Sequence, residues 1–309
     1  MIILVCCGGL PGSARNAVGP WRTAVISRRL ERDLLSAGER IVRVPPKLMA
    51  HVRDSVRTYG KSPPIDALAV ARAAQREPDL PVARLDGPDR ELRLLVDHRE
   101  SLVAARTRLI CRLRWHLHEL DPAWEPKARS LDAQRTLDEV QARLQEQAGV
   151  VARLARELTN RCAELTAVIN ALEKEIAQLV KQLAPALLAL PGCGPLTAAK
   201  IIGETAGVDR FKSRDAYARY NGTAPLPVWS SNKARHRLSR TGNRQLNAAL
   251  HRIALTQARW HAPAKAMIDR RKNGGNSGRE AIRILKRRLS DAIFQALVHD
   301  QTDALMPAA

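Results

Sequence analysis

Aromatic side chains are scarce in this sequence: five Trp, three Tyr and two Phe among 309 residues. Proteins that hold a single nucleic-acid strand by stacking need a run of aromatic faces, and this chain has little to offer for that. Cysteine is sparse and odd in number. Cys6, Cys7, Cys111, Cys162 and Cys193 contain no C-x-x-C pair, which indicates neither a disulfide framework nor a zinc site. His116 and His118 have no Cys or acid at ligand spacing and read as helix-surface histidines. Long hydrophobic runs are missing too. The apolar start from Met1 to Val5 gives way to Cys and Gly, too short for a signal peptide or a membrane span, so a reduced cytoplasm is the expected compartment. Acidic residues are outnumbered, 31 against 51 Lys and Arg, for a formal charge of +20. The excess gathers in the C-terminal third, and a chain so basic is expected to meet a polyanion through its phosphates.

Along the chain, residues 1–26 stand apart. Gly8, Gly9, Pro11, Gly12, Gly19 and Pro20 interrupt any periodicity, and no alternating strand pattern survives. From Ser27 the pattern becomes regular: a helix from Arg28 stopped by Gly38, a β-branched strand from Arg40 to Val44, and a helix opened by Pro45-Pro46 with Leu48, Met49, Val52 and Val56 on one face. A further helix from Ile65 to Arg76 carries Asp66 in its first turn, and Pro81 to Leu85 is a candidate strand. Residues 27–86 thus read as an α/β fragment poor in strands. Residues 87–187 read as long helices. Pro88 to Leu120 carries leucines at helical spacing, and the next helix has a heptad seam of Cys162, Ile169, Ile176 and Leu183 at a and Leu158, Leu165, Leu172 and Leu179 at d. That narrow stripe favours a coiled coil, either an intrachain hairpin or a dimer contact. Residues 188–300 read as a basic helical domain, and 301–309 as a tail.

Three segments carry candidate chemistry. LPGCGPLTAAKIIGETAG, from Leu190 to Gly207, resembles a helix-hairpin-helix turn, in which Gly192 and Gly194 let the backbone turn before a helix near Pro195. Its N–H groups and the helix N-terminus suit a DNA phosphate, and such contacts carry no sequence information. A glycine-rich connection without a ligand fits the same residues. APLPVWSSNKARHRLSRTGNRQLNAALHRIA, from Ala224 to Ala254, places Ser230 and Ser231 in a proline-flanked loop ahead of Lys233, Arg235, Arg237, Arg240 and Arg244. A hydroxyl among guanidinium groups is what phosphoryl transfer requires: one attacks phosphorus, the others neutralise charge on its oxygens. Most serines in basic loops only contact phosphate or water. Gly278 to Asp291, with Arg279, Arg283, Lys286, Arg287 and Arg288, reads as a helix laying a charged face along a nucleic-acid backbone, or as a solvated face.

The order G-K-S-x-x-I-D-A-L-A-x-A-R-A, heptads, L-P-G-x-G-P-x-T-A, A-P-x-P-x-x-S and R-x-S-R-x-G-N-R-Q-L resembles the insertion-sequence one-ten family of DEDD-type bacterial transposases, from about Ser27 to Val298. The resemblance implies a mainly α fold with a small α/β portion: an incomplete RuvC-type (RNase H-like) fragment, coiled-coil helices and a helical C-terminal transposase domain with a helix-hairpin-helix. It implies DNA as substrate, a structured guide RNA as partner, a homo-oligomer, Mg²⁺ held by four acids, and a C-terminal serine nucleophile. That serine carries over to Ser230, with Ser231 where the family usually has glycine. Gly192, Gly194, Lys233, Arg235, Arg237, Arg240, Arg244, Lys286 and Arg287 are the expected DNA contacts.

The acids carry over unevenly. Asp66 matches one member of the D-x-x-D pair; its companion position is Pro63, the glutamate position falls on Trp21, and the strand expected to bear the first aspartate is not recognisable. Mg²⁺ needs several oxygen ligands in near-octahedral array, so impaired catalysis is expected, and truncation or a frameshift at the 5′ end would account for residues 1–26. Asp54, Asp79 and Asp86 have no spacing that rebuilds the cluster. The alternative function is a non-catalytic DNA- or RNA-binding remnant that interferes with intact transposase; a third reading is an unstable remnant with open sheet edges.

Overall fold

The computed structural model describes residues 2–6, 16–19, 24–44, 48, 63–77, 80, 82–83, 87–230, 233–237 and 242–305. The chain forms two compact units, residues 1–87 and 88–309.

In the first unit, β1 (Ile2–Cys6), β2 (Asn16–Gly19) and β3 (Arg40–Val44) make an antiparallel sheet in the order β2-β1-β3. Ile3 pairs with Gly19 on one side and with Arg43 on the other. This corrects the expectation that residues 1–26 hold no strand. An unbroken apolar run such as Ile2–Val5 need not alternate to be a strand, and here it is the central one. Helix α1 (Ala24–Ser36) and helix α2 (Pro63–Arg76) both pack on the sheet. The pleat of β3 explains how: Ile41 packs with Leu34 and Leu35 of α1, while Val44 packs with Ala69, Val70 and Ala73 of α2. Arg43, on the Ile41 face, is tied to buried Glu31 of α1. Of the candidate strand from Pro81 to Leu85, only Val82 and Ala83 lie among the described residues; Val82 makes a bridge to Val42, and Ala83 N donates to Ile41 O at 2.8 Å. Except for Leu48, the helix read after Pro45-Pro46 lies outside the described residues.

Among the described residues, the regular elements of the second unit are helices and one ribbon. Helix α3 (Pro88–Leu120) and helix α5 (Val150–Leu183) lie side by side and antiparallel, with α4 (Gln134–Gln145) against α5. Arg99 donates to Glu173 at 2.8 and 2.5 Å, and Arg106 to Thr166 Oγ1 at 2.9 Å, so the cross-links recur every seven residues on both helices. Of the heptad seam, Leu158, Cys162, Ile169 and Ile176 are buried, whereas Leu165, Leu172, Leu179 and Leu183 are only half-buried; Ala152, Ala155, Thr159, Thr166 and Val180 complete the buried stripe. Much of the seam is therefore used within the chain, against α3.

Each end of the pair has its own core. At one end Leu113 and Leu117 of α3 meet Leu137, Val140 and Leu144 of α4 and Leu158 and Cys162 of α5. At the other, Leu92, Val96, Ile176 and Val180 join a larger cluster. That cluster is supplied by α6 (Pro185–Leu188), α7 (Pro195–Thr205), α8 (Arg214–Tyr220), α9 (Arg244–Trp260), α10 (Ala262–Asn273) and α11 (Gly278–Leu305), with Tyr217 wholly buried among them. Asp300 of α11 satisfies the start of α6, accepting from Ala186 N at 2.8 Å and Leu187 N at 3.1 Å. Strands β4 (Leu226–Ser230) and β5 (Lys233–Arg237) form the ribbon between α8 and α9. No helix among the described residues is long and apolar enough to cross a membrane.

Candidate nucleophile and nucleic-acid interface

Ser230 is the last residue of β4 rather than part of an open loop, which corrects the sequence reading; Ser231 and Arg240 lie outside the described residues. The register pairs Ser230 with Lys233, Val228 with Arg235 and Leu226 with Arg237. Directly opposed residues of an antiparallel pair share a face, and every second residue along a strand returns to it. Ser230, Lys233, Arg235 and Arg237 therefore belong to one face of the ribbon, and Trp229, Ala234 and His236 to the other.

The root of this ribbon is closed by two asparagines, one buried and one half-buried. Asn221, wholly buried, accepts from Thr223 N at 3.1 Å and Thr223 Oγ1 at 2.7 Å, and its Nδ2 donates to Ser290 Oγ at 2.7 Å. From the other side, Asn243 N donates to Tyr220 O at 2.7 Å. The Asn243 side chain accepts from Leu246 N at 2.9 Å, capping α9, and donates to Glu204 Oε2 at 2.7 Å. Arg93 lies 3.8 Å from the other oxygen of buried Glu204. Between these bonds the chain crosses itself: a Cβ on Gly242 would sit 2.4 Å from Gly222 N. Only glycine fits where two backbones approach so closely. Residues 223–241 thus leave and return through one fixed gate, with Asn247 Nδ2 donating to Asn221 O at 2.8 Å beside it.

Lys286 and Arg287 do not belong to an exposed basic face, contrary to the sequence reading. Lys286 is buried, donates to Asn247 Oδ1 at 2.6 Å, and has its pKa lowered by burial. Its charge also pushes His251 downward, after the larger effect of that histidine's own burial. Arg287 is taken up by Asp215 at 2.5 Å and by Asp291. The exposed cations here are Arg279, Arg283 and Arg288 of α11 and Arg270, Arg271 and Lys272 in the last turn of α10. The last three were missed in the sequence, although the run Asp269–Asn273 shows them plainly. Arg244 is exposed in the first turn of α9.

The turn before α7 is exposed at Gly192 and Gly194, with Cys193 buried beneath. Gly192 has φ of 81°, which glycine adopts without strain. The turn is held to α9 by Gln257 Nε2, which donates to Pro191 O at 2.7 Å.

Asp66 lies in the first turn of α2 and is buried. Among the described residues no group of three or more His, Cys, Asp or Glu could hold a metal ion. Strand β1 reads IILVC and carries no acid, and α2 begins with Pro63 and Pro64. One carboxylate among apolar and proline positions does not fit an octahedral Mg²⁺ site, and Asp54, Asp79 and Asp86 lie outside the described residues.

Comparison with known proteins agrees in two regions. Residues 21–122 match the family model of DEDD-type IS110 transposases, and residues 184–269 match the model described as the transposase IS116/IS110/IS902 family. An uncharacterized 42 kDa protein of insertion element IS900 from Mycobacterium paratuberculosis is 26% identical over 85% of this chain and 78% of its own length. An uncharacterized 44.8 kDa protein of insertion element IS116 from Streptomyces clavuligerus is 27% identical, again over 85% of this chain and 78% of its own. An uncharacterized 43.6 kDa protein of insertion element IS110 from Streptomyces coelicolor is 26% identical over 88% and 79%. With one family matched on both units and relatives aligned along most of its length, the chain belongs to the IS110/IS116/IS902 family of insertion-element transposases.

Proposed function

We propose that this transposase presents Ser230 as the nucleophile towards a DNA phosphodiester and that its metal-dependent step is impaired. The observation that supports the reading is the β4–β5 register, which sets Ser230 on one face with Lys233, Arg235 and Arg237. Attack by Oγ on phosphorus joins the serine to one DNA end and frees the other end as a hydroxyl, the serine proton passing through solvent to the departing oxygen. Cations on the same face neutralise the oxygens of the phosphorus under attack. Return attack by a strand-end hydroxyl restores the serine and exchanges strands. The helix-hairpin-helix reading of the Gly192–Gly194 turn would add a sequence-independent hold on the backbone. A RuvC-type role for the first unit, a guide RNA and a homo-oligomer remain parts of the same proposal, carried by the resemblance of the motifs.

The test is adduct trapping on denaturing gels with element-end DNA. Ser230→Ala abolishes the protein–DNA adduct and leaves binding nearly unchanged, because one hydroxyl adds little to a polyelectrolyte interface. An adduct that survives Ser230→Ala sinks the assignment. That no cluster of three or more ligating side chains includes Asp66 among the described residues favours a second reading, a DNA-binding chain without strand chemistry. It wins if the unaltered protein binds DNA with a steep salt dependence yet forms no adduct at any Mg²⁺ concentration.

A further inference from the structure

The far end of the α3–α5 pair has no part in the chemistry above, yet it holds a cavity lined by two tryptophans. A cavity of about 220 Å³ opens between the last turns of α3 and the chain that follows, lined by Trp115, Trp124, His118, Glu125, Arg114 and Pro126. Trp115 is 77% exposed. A single exposed aromatic is ordinary, and Trp260 is 83% exposed as well; what sets Trp115 apart is that it lines a cavity together with a second indole. Trp124 is preset: the Arg143 guanidinium lies 4.4 Å from its ring centroid, held by Asp121 at 2.6 Å.

Charge completes the picture. Two acids near the cavity are already matched, Glu125 with Arg114 at 3.1 Å and Asp121 with Arg143. Arg108 and Arg112 precede Trp115 on one side of α3, at the helical spacings that put them on its face. Lys127 and Arg129 follow the Pro126 wall, and all four cations are exposed. Phosphates thus have exposed cations on both sides of the opening. The cavity itself is smaller than the roughly 300–1,000 Å³ of sites for drug-sized ligands. That size suits one planar ring system, not a whole nucleotide chain.

We infer that the Trp115–Trp124 cavity receives an unpaired nucleobase, stacked on the Trp115 indole, with the flanking phosphates on Arg108, Arg112, Lys127 and Arg129. His118 and Glu125 stand at the rim as polar partners for the base edge. Scarcity of aromatics argues against stacking along a strand, but one base needs only one well-placed ring, and the fold brings two of the five tryptophans to this spot. The inference stands apart from the Ser230 assignment, since binding here is read without any adduct.

The experiment uses the full chain and three labelled probes: a stem-loop RNA with an unpaired purine loop, single-stranded DNA of the loop sequence, and the blunt stem duplex. Trp115→Ala is expected to weaken the looped or single-stranded probe about tenfold, the scale of one base–aromatic stack, with the duplex held within about twofold. Trp115→Phe recovers most of the loss, and because the side chain is exposed neither variant perturbs the core. A loss confined to the RNA probe assigns the base to RNA, and a loss on both single-stranded probes assigns the site to either nucleic acid. Equal loss on all three probes, or no loss on any, overturns the inference. So does a change in sedimentation with affinity unaltered, which would make Trp115 a contact between copies of the chain.

Discussion

Replacing Asn243 separates the two tasks its side chain performs. Its Oδ1 caps α9 by accepting from Leu246 N, and its Nδ2 supplies buried Glu204 with a hydrogen bond of 2.7 Å. Loss of an N-cap costs about 1 kcal/mol, and a hydrogen bond to a charged group is worth roughly 1.5–3 kcal/mol. Asn243→Ala removes both, for roughly 2.5–4 kcal/mol if the terms add. In a unit of this size about 1 kcal/mol moves Tm by roughly 2–4 °C, so the melting point should fall by roughly 5–15 °C. Asn243→Ser keeps a capping oxygen but is too short to reach Glu204, and should show only the larger part of the loss. Asn243→Asp keeps the cap and sets a second carboxylate against Glu204, and should be worse than serine. Thermal and urea denaturation of the three variants at neutral pH, with helicity checked by circular dichroism, gives the order. If alanine and serine are equally mild, within about 0.5 kcal/mol of the unaltered protein, the gate at the ribbon root is not held as described.

Other consequences are checked more simply. The lowered pKa of Lys286 means that the unfolded chain binds more protons between that folded value and about 10.4, so this lysine adds stability as pH rises through the window. Lys286→Met should flatten the part of the stability curve just below about pH 10, measured by urea unfolding as the difference from the unaltered protein. Burial pushes the Cys162 thiol up to about 11 and Cys193 up to about 12, while Cys111 is exposed. Of these three, only Cys111 should react with a thiol reagent before unfolding, as mass mapping would reveal. Duplex affinity should fall steeply with salt, and Arg279→Gln with Arg283→Gln should lower the slope of log affinity against log salt by about 2, while Arg287→Gln leaves it unchanged. An unchanged slope in the Arg279 and Arg283 double variant would remove α11 from the interface.

Periodicity made the long helices legible. Pro88–Leu120 follows from leucines at helical spacing bounded by proline, and Arg40–Val44 from its β-branched run. The family motifs likewise mark Ser230 and the glycine turn. What local pattern does not carry is the register. Leu226–Ser230 contains Pro227, and Lys233–Arg237 alternates cations with small or polar residues, so both look like solvated loop until they are paired. Burial of Lys286 is equally invisible, because it depends on Asn247 of a different helix. Strand β1 was missed for the opposite reason: an apolar run of five among glycines lacks the alternation that one-sided strands display. The two asparagines of the gate are ordinary residues in the sequence, and their task appears only where residues 221 and 243 meet.

The α3–α5 pair also sets a length scale. A helix of 33 residues is about 50 Å long at 1.5 Å per residue. Duplex DNA rises 3.4 Å per base pair, so the same distance is about fifteen pairs, or close to one and a half helical turns. The tryptophan cavity and the closed ribbon lie towards opposite ends of this rod. Along α3, Arg93 beside the ribbon root and Trp115 at the cavity are about 33 Å apart at 1.5 Å per residue, so a single phosphate group cannot touch both and close to a full turn of duplex is needed. Any nucleic acid engaged at the two ends together must span that interval or bend back across it, which makes the rod a ruler for the spacing between two contacts.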